Sequence, residues 1–486
     1  MAGSGTMGRG IVQVLAQCGA RVRVFDAQPG AAAKAKESIA KVLAGQVAKG
    51  RVAQADADAT LGRIEIAASS AAFKDCHLVV EAIIEQLEPK QALFRDLEAI
   101  VGENCILASN TSSLSVTAMA AACSKPGRVA GYHFFNPVPL MKIVEVVDGE
   151  LTEPWVGEAL AALARRYGHT PVRCRDTPGF VVNHAGRGFV PESLHVLQEG
   201  VADFATIDRI LVDAAGFRMG PFTLMDLVGL DVAHAVMKSM HLQYYGEPKY
   251  QPAYFAETRV AAGLLGRKTG RGWYRYDKDN AQEKLPEQTV PGTKAAEVWA
   301  APELKELVSK LGAKVVAKPG RDTLCLIAPL GSDATTAALE QDLDPRHTVA
   351  IDPLFGFSRR RTLMTTPVTA PEARDAAHAL LAADGVPVSV IRDSAGFVAQ
   401  RVVAHIVNVG CDIVQQRIAS PEDLDRAVML GLGYPKGPLA MGDAVGAAKV
   451  LAVLEAMQDL YKEPRYRPSP WLTRRAKLGV SLLTPE

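Results

Sequence analysis

The chain has 486 residues, enough for about three domains, and its 54 basic and 53 acidic residues leave a net charge of +1. A charge so near zero gives no long-range attraction to nucleic acid or to an anionic membrane. An apolar share of 48% against 22% charged residues is typical of a globular protein with buried cores. Seven scattered cysteines without CxxC spacing argue against disulfides and a zinc site, and they favour a reducing compartment.

Charged residues interrupt the apolar runs, so the sequence predicts no membrane-spanning segment. Residues 1–5 have neither the basic nor the apolar stretch of a secretion signal. We therefore expect a cytoplasmic protein without a metal site and without membrane or nucleic-acid partners.

Short apolar runs separated by helical stretches fill residues 1–175. The glycine-rich segment 3–8 precedes an amphipathic helical pattern that reaches Cys18. Runs that are typical of strands lie at 20–26, 78–82, 105–108, 129–135, 143–147 and 172–174. This alternation predicts a mostly parallel sheet with helices on both faces, so we assign 1–175 to an α/β Rossmann domain.

The rest of the chain repeats this order. Residues 176–277 show helical patterns and predict an all-α domain, and the proline-containing polar stretch 278–302 predicts a linker. Strand-like runs return at 323–328, 348–351 and 362–365. We therefore assign 303–392 to a second α/β domain and 393–486 to a second helical domain.

A fixed offset of 217 residues supports an internal duplication. It matches Gly179-Phe180-Val181 with Gly396-Phe397-Val398, Asp208-Arg209 with Asp425-Arg426, Gly216 with Gly433, Gly220-Pro221 with Gly437-Pro438, Asp226 with Asp443, and Gly229 with Gly446. The predicted fold is thus an α/β Rossmann domain plus an all-α domain, present twice.

The first glycine-rich segment fits the GxGxxG pattern of dinucleotide-binding proteins. Its residues are Gly3, Ser4, Gly5, Thr6, Met7 and Gly8. The first glycine permits a tight turn, the second a close approach of the pyrophosphate, and the third close helix packing. The next strand-like run ends at Asp26, whose carboxylate would bind the adenosine ribose and repel a 2′-phosphate. The pattern predicts NAD rather than NADP.

A Rossmann fold has a strand before the first glycine, yet only Met1 and Ala2 precede Gly3. A strand takes about five residues, and without it two interior sheet edges would lack a partner. We therefore expect the first strand to be missing here, and an upstream coding sequence to supply it.

His133 ends a strand-like run, and Glu145 lies twelve residues later inside an apolar run. A glutamate on a buried strand needs a cationic or hydrogen-bonding partner. A carboxylate that fixes the histidine tautomer makes the other ring nitrogen a better base. Such a pair suits a metal-free alcohol dehydrogenase, although spacing alone leaves a structural histidine and a solvated glutamate equally open.

Polar residues follow two other strand-like runs. Ser112, in the segment 109–113, would hold a substrate oxygen or cap the next helix. Glu81 and Glu85, with Lys90, would meet the nicotinamide ribose or form a solvated helix start.

Together these motifs resemble the L-3-hydroxyacyl-CoA dehydrogenase family of fatty-acid β-oxidation, including the 3-hydroxybutyryl-CoA dehydrogenases. The matching stretches are GSGTMG at 3–8, LVVEAIIE at 78–85, LASNTSSL at 107–114, YHFFNPVPLMKIVEVV at 132–147, DTPGFVVN at 176–183, GPFTLMDLVGLD at 220–231 and GRKTGRGWYRY at 266–276. The resemblance is strong over 1–277 and weak over 393–470.

The resemblance implies a role for individual residues. His133 would be the catalytic base, oriented by Glu145, and Ser112 and Asn183 would bind the substrate oxygen. Besides the glycine motif, the residues that would contact NAD are Asp26, Glu85, Lys90, Ser112 and Lys268. Ser38 would contact CoA, and nearby lysines would either meet the CoA phosphates or lie exposed on a helix; these are Lys34, Lys36, Lys41 and Lys49.

Two departures qualify the resemblance. Gly186 and Gly188 stand in a helical stretch that borders the acyl site in the family, where each costs about 1 kcal/mol relative to alanine. We expect the acyl preference to differ accordingly. In the second half, the fixed offset places Ala350, Thr362 and Gln400 at the positions of His133, Glu145 and Asn183, and 281–392 contain no GxGxxG. The second α/β domain therefore looks degenerate.

The leading hypothesis is reversible, NAD-dependent oxidation of L-3-hydroxyacyl-CoA to 3-oxoacyl-CoA in fatty-acid, butyrate or aromatic-acid breakdown. The alternatives are a related NAD-dependent hydroxy-acid dehydrogenase and a non-catalytic protein that binds NAD or acyl-CoA. We expect one active site per chain and an intrachain pseudo-dimer, in which the helical domains 176–277 and 393–486 pack about a pseudo-twofold axis. The sequence leaves further oligomerisation open.

Overall fold

The computed structural model describes residues 1–293, 295 and 297–486. Strands and helices alternate through the first α/β region. In chain order they are α1 (Thr6–Gln17), β1 (Val22–Val24), α2 (Ala31–Ala48), α3 (Gln54–Gly62), β2 (Ile64–Ile66), β3 (Leu78–Glu81), α4 (Leu87–Ile100), β4 (Ile106–Ser109), α5 (Val116–Ala120), β5 (Val129–Phe134), β6 (Ile143–Asp148), α6 (Pro154–Arg166) and β7 (Thr170–Arg175).

Helices follow, then a second set of strands, then helices again. The helices are α7 (Val182–Ala185), α8 (Val190–Gln198), α9 (Phe204–Asp213), α10 (Pro221–Val228), α11 (Leu230–Gln243) and α12 (Tyr254–Ala261). The second α/β region contains β8 (Val298–Ala300), α13 (Lys305–Lys310), β9 (Leu324–Ile327), α14 (Ala334–Glu340), β10 (Thr348–Ile351), β11 (Arg361–Thr365), α15 (Pro371–Leu381) and β12 (Val388–Ile391). The last helices are α16 (Ala399–Gln415), α17 (Pro421–Gly431), α18 (Pro438–Val445), α19 (Ala447–Tyr461) and α20 (Pro470–Leu478).

The chain forms two compact units whose limits differ from the predicted domain boundaries. Unit 1 comprises Met1–His184 and Gln416–Gly433, and unit 2 comprises Ala185–Gln415 and Tyr434–Glu486. The segment Gln416–Gly433 joins unit 1 because it covers the edge strand β7, where the Arg175 N–H donates to the Ile418 carbonyl at 2.9 Å. An edge strand has free backbone groups that need partners.

The main sheet of unit 1 has the order β3-β4-β5-β6-β7. The β5–β6 pair is antiparallel, and the other neighbours are parallel. Strands β1 and β2 form a separate parallel pair. Helix α1 packs its buried face, which includes Ile11, Val14 and Leu15, into the core of this unit.

Residues 1–3 take the place of the strand that the sequence analysis expected to be missing. Ala2 forms parallel bridges to Phe25 on one side and to Glu81 on the other. Its N–H donates to the Val80 carbonyl, and the Gly3 N–H donates to the Phe25 carbonyl, both at 2.9 Å. The two strand edges that the sequence analysis expected to lack a partner are therefore bridged at Ala2.

The sheet of unit 2 has the order β12-β11-β10-β9-β8. Its β10–β11 pair is antiparallel and its other neighbours are parallel, the same succession as from β3 to β7. Strand β8 lies inside the stretch 278–302, so the linker prediction was wrong at its C-terminal end. Three strand residues, Val298 to Ala300, give too short a pattern to stand out beside Pro302.

Helix α16 is the central helix of unit 2, because nearly all of its residues from Ala399 to Val414 are buried. A second core lies against the β8–β12 sheet and includes Leu304, Leu326, Ile351 and Leu363. None of the helices formed by the described residues is long and apolar enough to cross a membrane.

Candidate active site

The glycine motif forms the turn between Ala2 and α1. Gly3 has a φ of +95°, and a Cβ there would lie 2.5 Å from the Ala82 carbonyl oxygen. A Cβ on Gly8 would lie 2.1 Å from the Gly3 carbonyl oxygen, whereas a Cβ on Gly5 would meet no described atom within 4 Å. Gly5 thus leaves open space before the first N–H groups of α1, where a helix binds phosphate. The turn fits a dinucleotide pyrophosphate.

Asp26 lies next to this turn, two residues after β1. Its Oδ2 accepts hydrogen bonds from the Ser4 N–H at 2.8 Å and the Ser4 hydroxyl at 2.7 Å. Its Oδ1 accepts one from the Gln28 N–H at 2.9 Å. Partial burial acts to raise the pKa of Asp26, but the hydrogen bonds from Ser4 and Gln28 outweigh it and hold the pKa below its usual value.

The antiparallel register of β5 and β6 places His133 directly opposite Glu145. The His133 Nδ1 lies 2.7 Å from the Glu145 Oε2. Glu145 is fully buried, and its Oε1 accepts hydrogen bonds from the Val181 N–H at 3.0 Å and the Val182 N–H at 2.8 Å. Three hydrogen bonds therefore satisfy a carboxylate that would otherwise be costly to bury.

The histidine also lines a cavity of about 380 Å³. Its ring centroid lies 4.5 Å from that of Phe135 and 5.9 Å from that of Phe180. Among the described residues, none forms a hydrogen bond with Nε2, which leaves this nitrogen available to a ligand. The cavity wall also includes Met7, Glu85, Lys90, Asn110, Ser112 and Asn183.

Glu85 connects the loop after β4 to Lys90. Its Oε1 accepts hydrogen bonds from the Thr111 hydroxyl at 2.7 Å and the Ser112 N–H at 2.9 Å. The ammonium group of Lys90 lies 3.1 Å from its Oε2. Burial acts to raise the pKa of Glu85, but the Thr111 hydrogen bond and the Lys90 charge lower it below its usual value.

Glu81 supports this wall from behind instead of facing the ribose or solvent. It is fully buried and accepts hydrogen bonds from the Ile83 N–H, the Lys90 ammonium and the Ser109 hydroxyl, each at 2.6 Å. The structure thus contradicts both alternatives that the sequence left for Glu81. The reason is that Glu81 is the last residue of strand β3 and not part of the following helix, so its side chain is enclosed in the interior of the domain.

Three predicted site residues lie on other elements. Asn183, in the first turn of α7, reaches the cavity wall with Ser112 and His133. Ser38 lies outside that wall on α2, where its hydroxyl donates to the Lys34 carbonyl at 2.8 Å. Lys268 lies in unit 2 and pairs with Asp231. The roles of these residues in binding stay predictions.

The sequence analysis gave no role to several residues of the wall, of which Asn110 is the most informative. Asn110 follows β4, and its Oδ1 accepts a hydrogen bond from the Phe134 N–H at 2.9 Å. It thereby ties the loop after β4 to the strand that carries His133. A polar residue at the carboxyl end of a buried strand was the available signal. Within the described residues, no three histidine, cysteine or acidic side chains gather as metal ligands would.

The second sheet places other residues at the matching positions. The Asp352 N–H donates to the Thr362 carbonyl at 3.1 Å, and the register pairs Ala350 with Met364. Asp352 instead of Ala350 therefore faces Thr362, so the fixed offset was wrong by two residues at this point. Asp352 accepts a hydrogen bond from Gln400 Nε2 at 2.9 Å, and burial raises the pKa of Asp352 to about 6.

An α/β domain whose glycine turn opens toward a histidine–glutamate pair defines an NAD-dependent oxidoreductase. Comparison with known families identifies which one. The family model described as 3-hydroxyacyl-CoA dehydrogenase, NAD binding domain, matches residues 1–177. The model of the C-terminal domain of 3-hydroxyacyl-CoA dehydrogenase matches residues 179–276 and again 396–481. The chain belongs to the 3-hydroxyacyl-CoA dehydrogenase family.

Individual relatives agree with this assignment. The chain is 37% identical over 476 residues to the 3-hydroxyadipyl-CoA dehydrogenase of Escherichia coli (strain K12), which covers 98% of this chain and 96% of that protein. It is 38% identical over 281 residues to the human mitochondrial hydroxyacyl-coenzyme A dehydrogenase, which covers 56% of this chain and 89% of that protein. A crystal structure of 3-hydroxybutyryl-CoA dehydrogenase from Escherichia coli K12 matches with a TM-score of 0.88 at 36% identity, over 98% of this chain and 97% of that one. The predicted family, enzyme class and cofactor are confirmed.

Proposed function

We propose that this chain catalyses the reversible, NAD-dependent oxidation of L-3-hydroxyacyl-CoA to 3-oxoacyl-CoA. The observation that carries this proposal is that His133, which is paired with the buried Glu145, lines a cavity that Met7 of the glycine motif also lines. Oxidation of the 3-hydroxyl group removes a proton from oxygen and a hydride from C3. NAD, when bound, supplies the hydride acceptor.

The proton goes to His133. Its Nδ1–H remains donated to Glu145, so Nε2 is the nitrogen that accepts the 3-hydroxyl proton. The imidazolium that forms is stabilised by the adjacent carboxylate, as in other histidine–carboxylate pairs. The Val181 and Val182 N–H groups hold Glu145 in place, so the carboxylate does not have to reorient as the charge on His133 changes.

Other wall residues bind and orient the reactants. Ser112 and Asn183 bind the substrate oxygen close to His133, as the shared cavity wall supports. On the cofactor side, Glu85, Lys90 and Ser112 meet the nicotinamide ribose, the glycine motif and Asp26 hold the pyrophosphate and adenosine, and Lys268 adds a further contact. Ser38 on α2, with neighbouring lysines, binds CoA.

The acyl range of this enzyme includes both short monocarboxylic and six-carbon dicarboxylic chains. The relative that spans nearly the whole chain is named for 3-hydroxyadipyl-CoA, and several relatives of its first half are named for 3-hydroxybutyryl-CoA. The test is NADH oxidation with acetoacetyl-CoA, 3-oxoadipyl-CoA and longer 3-oxoacyl-CoA thioesters, compared by kcat/KM. Inactivity on every thioester would favour a related hydroxy-acid dehydrogenase, and NADH binding without any turnover would favour a binding protein.

We further propose that the chain carries two copies of a Rossmann-plus-helical unit, and that the second copy has lost its site. Two hydrogen bonds support the duplication. The Arg175 N–H donates to the Ile418 carbonyl in unit 1, and in unit 2 the Arg392 N–H donates to the Val201 carbonyl, both at 2.9 Å. Arg392 lies 217 residues after Arg175, and Val201 lies 217 residues before Ile418. The donor therefore belongs to the first half of the chain in one hydrogen bond and to the second half in the other. This exchange is the contact pattern of a twofold dimer.

Contacts within unit 2 support packing between the helical copies. A Cβ on Gly188 would lie 2.6 Å from the Ile406 Cα, so the backbone before α8 meets α16 directly. Close packing thus requires a glycine at position 188, besides any effect of this glycine on acyl preference.

The proposed sequence domains are 1–175, 176–277, 303–392 and 393–486. Strand β8 extends the third domain to residue 298.

Titration with NADH, followed by fluorescence, tests the proposed single site. We expect one NADH per chain, because residues 298–391 carry no GxGxxG motif and no histidine–glutamate pair. Two bound NADH molecules per chain would overturn the proposal.

We also propose that the protein lies in the cytoplasm. Cell fractionation with an antibody against the chain tests this directly.

A further inference from the structure

Ser4 occupies the position between the first two glycines of the motif and makes an unusual double contact. It is only 7% exposed. Its N–H and its hydroxyl reach the same carboxylate oxygen, Oδ2 of Asp26, at 2.8 and 2.7 Å. Any residue except proline at position 4 would offer the N–H, but the second donor comes from the serine hydroxyl, which an alanine would lack.

We propose that Ser4 is a positioning residue for coenzyme selection, whose hydroxyl fixes the carboxylate of Asp26 toward an unphosphorylated adenosine ribose. This inference rests on the use of NAD at the glycine turn. Ser4 fills both acceptor positions of Oδ2, and the Gln28 N–H takes one position on Oδ1. The acceptor capacity that is left to Asp26 is therefore on Oδ1, where a ribose hydroxyl group donates.

Positioning matters for both affinity and selectivity. An Asp26 side chain that is already ordered before binding loses no further rotamer freedom when the ribose arrives. A carboxylate held in one place also repels the 2′-phosphate of NADP. A mobile side chain could instead turn away from the phosphate and weaken this repulsion. The Ser4 hydroxyl acts through Asp26 and does not itself need to touch the coenzyme.

The experiment is a double-mutant cycle with Ser4→Ala, Asp26→Ala and the combined variant. Equilibrium binding of NADH and NADPH is measured by fluorescence titration, independently of turnover. We expect Ser4→Ala to weaken NADH binding about three- to tenfold, in line with the loss of one charge-assisted hydrogen bond used in preorganisation. We expect the preference for NADH over NADPH to fall with it. In the Asp26→Ala background, Ser4→Ala should change NADH binding less than about twofold, because the carboxylate that the hydroxyl positions is gone.

Ser4→Thr keeps the hydroxyl and serves as the matched control, so it should restore the wild-type preference. If the losses of NADH affinity in the two single variants add up in the combined variant, the inference is overturned. Ser4 would then contact the pyrophosphate directly. Unchanged NADH and NADPH binding in Ser4→Ala, with an unchanged thermal midpoint of the coenzyme-free chain, would overturn it as well. Absence of NADH binding in the wild-type chain would instead refute the proposed function, so the two failures are distinguishable.

Discussion

Glu145 receives its hydrogen bonds from two separate parts of the chain. His133 comes from the neighbouring strand, and the Val181 and Val182 N–H groups come from the start of α7. The spacing of twelve residues predicted the first partner, because a short connection between adjacent strands sets such a pairing. The second pair of donors depends on Phe180, which has a φ of +50° and turns the chain toward the carboxylate. No residue pattern signals a phenylalanine in that conformation.

At this scale we predict that His133→Gln lowers kcat about 10²- to 10⁴-fold, the usual contribution of a general acid–base group. NADH binding should stay within about twofold of wild type. Glu145→Gln should cost nearly as much, because the neutral amide neither fixes the tautomer nor stabilises the imidazolium. Steady-state rates with acetoacetyl-CoA and NADH titration measure both effects. His347→Gln, at a partly exposed histidine of the second α/β region, is the control; near-normal turnover in His133→Gln would contradict the mechanism.

At the scale of elements, the turn before α1 separates two roles of glycine. Gly5 has a φ of −61° and a ψ of −167°, a backbone conformation open to any residue, and space around its Cβ position. Gly5→Ala should therefore fold with a thermal midpoint close to wild type but lose NADH affinity by at least about tenfold, since the methyl group enters the phosphate site.

Gly8→Ala is the matched comparison, and the opposite order of effects is expected. Its methyl group would lie 2.1 Å from the Gly3 carbonyl oxygen, so α1 has to shift away from the turn. The thermal midpoint should fall by several degrees before any coenzyme is added. Equal thermal midpoints for the two variants would contradict this account of the turn.

Asp352, which the two-residue shift between β10 and β11 places opposite Thr362, is buried against Gln400. Among the described residues, no cationic side chain pairs with its carboxylate. Its pKa rises from the ordinary 3.8 to about 6, so the folded state binds this proton more tightly than the unfolded state does. The contribution of Asp352 to the stability of the chain should therefore be lost as pH rises from about 4 through about 6.

Asp352→Asn keeps an acceptor for Gln400 and removes this ionisation. We predict that the variant is more stable than wild type at pH 8, by up to about 3 kcal/mol, and nearly equal to it at pH 4. Denaturant unfolding at the two pH values measures the free energy of unfolding of the variant and of wild type. The contributions of the other titrating groups cancel in the difference between the two proteins. A variant that is equally destabilised at both values would contradict the prediction.

At the scale of the molecule, a buried ion cluster joins the two helical parts of unit 2. Arg401 is fully buried and pairs with Glu192 at 2.5 Å and Glu199 at 2.6 Å, and Arg465 lies 3.5 Å from Glu192. Burial acts to raise the pKa of Glu192, but the charges of Arg401 and Arg465 hold it well below its usual value. The cluster ties α8 to α16, that is, the first helical region to the second.

We predict that Arg401→Met destabilises the chain by about 3–5 kcal/mol, because it leaves Glu192 as a buried charge with a weaker partner. Adding Glu192→Gln should recover part of the loss. The exposed pair of Lys310 and Glu306 provides the control, since water and salt screen it and Lys310→Met should cost far less than Arg401→Met. Urea unfolding of the wild-type chain and the three variants provides the comparison, and similar losses for Arg401→Met and Lys310→Met would show that the cluster does not join the helical parts.

The sequence by itself determined the features that depend on neighbours along the chain. The glycine turn and strands β5 and β6, with their histidine and glutamate, follow from local spacing, and together they were specific enough to indicate the family. Strands β2, β8 and β12 were missed because three or four residues give too little periodicity.

The tertiary structure alone decided where free backbone groups and buried charges find their partners. Ala2 bridges two strands, Gln416–Gly433 covers the edge of β7, Glu81 is enclosed behind Lys90, and Asp352 takes the position that the fixed offset gave to Ala350. Each of these outcomes joins residues that are distant in the chain. The physical reason is that an unpaired sheet edge or a buried carboxylate is too costly to leave unsatisfied, and which segment satisfies it is fixed only when the chain has folded.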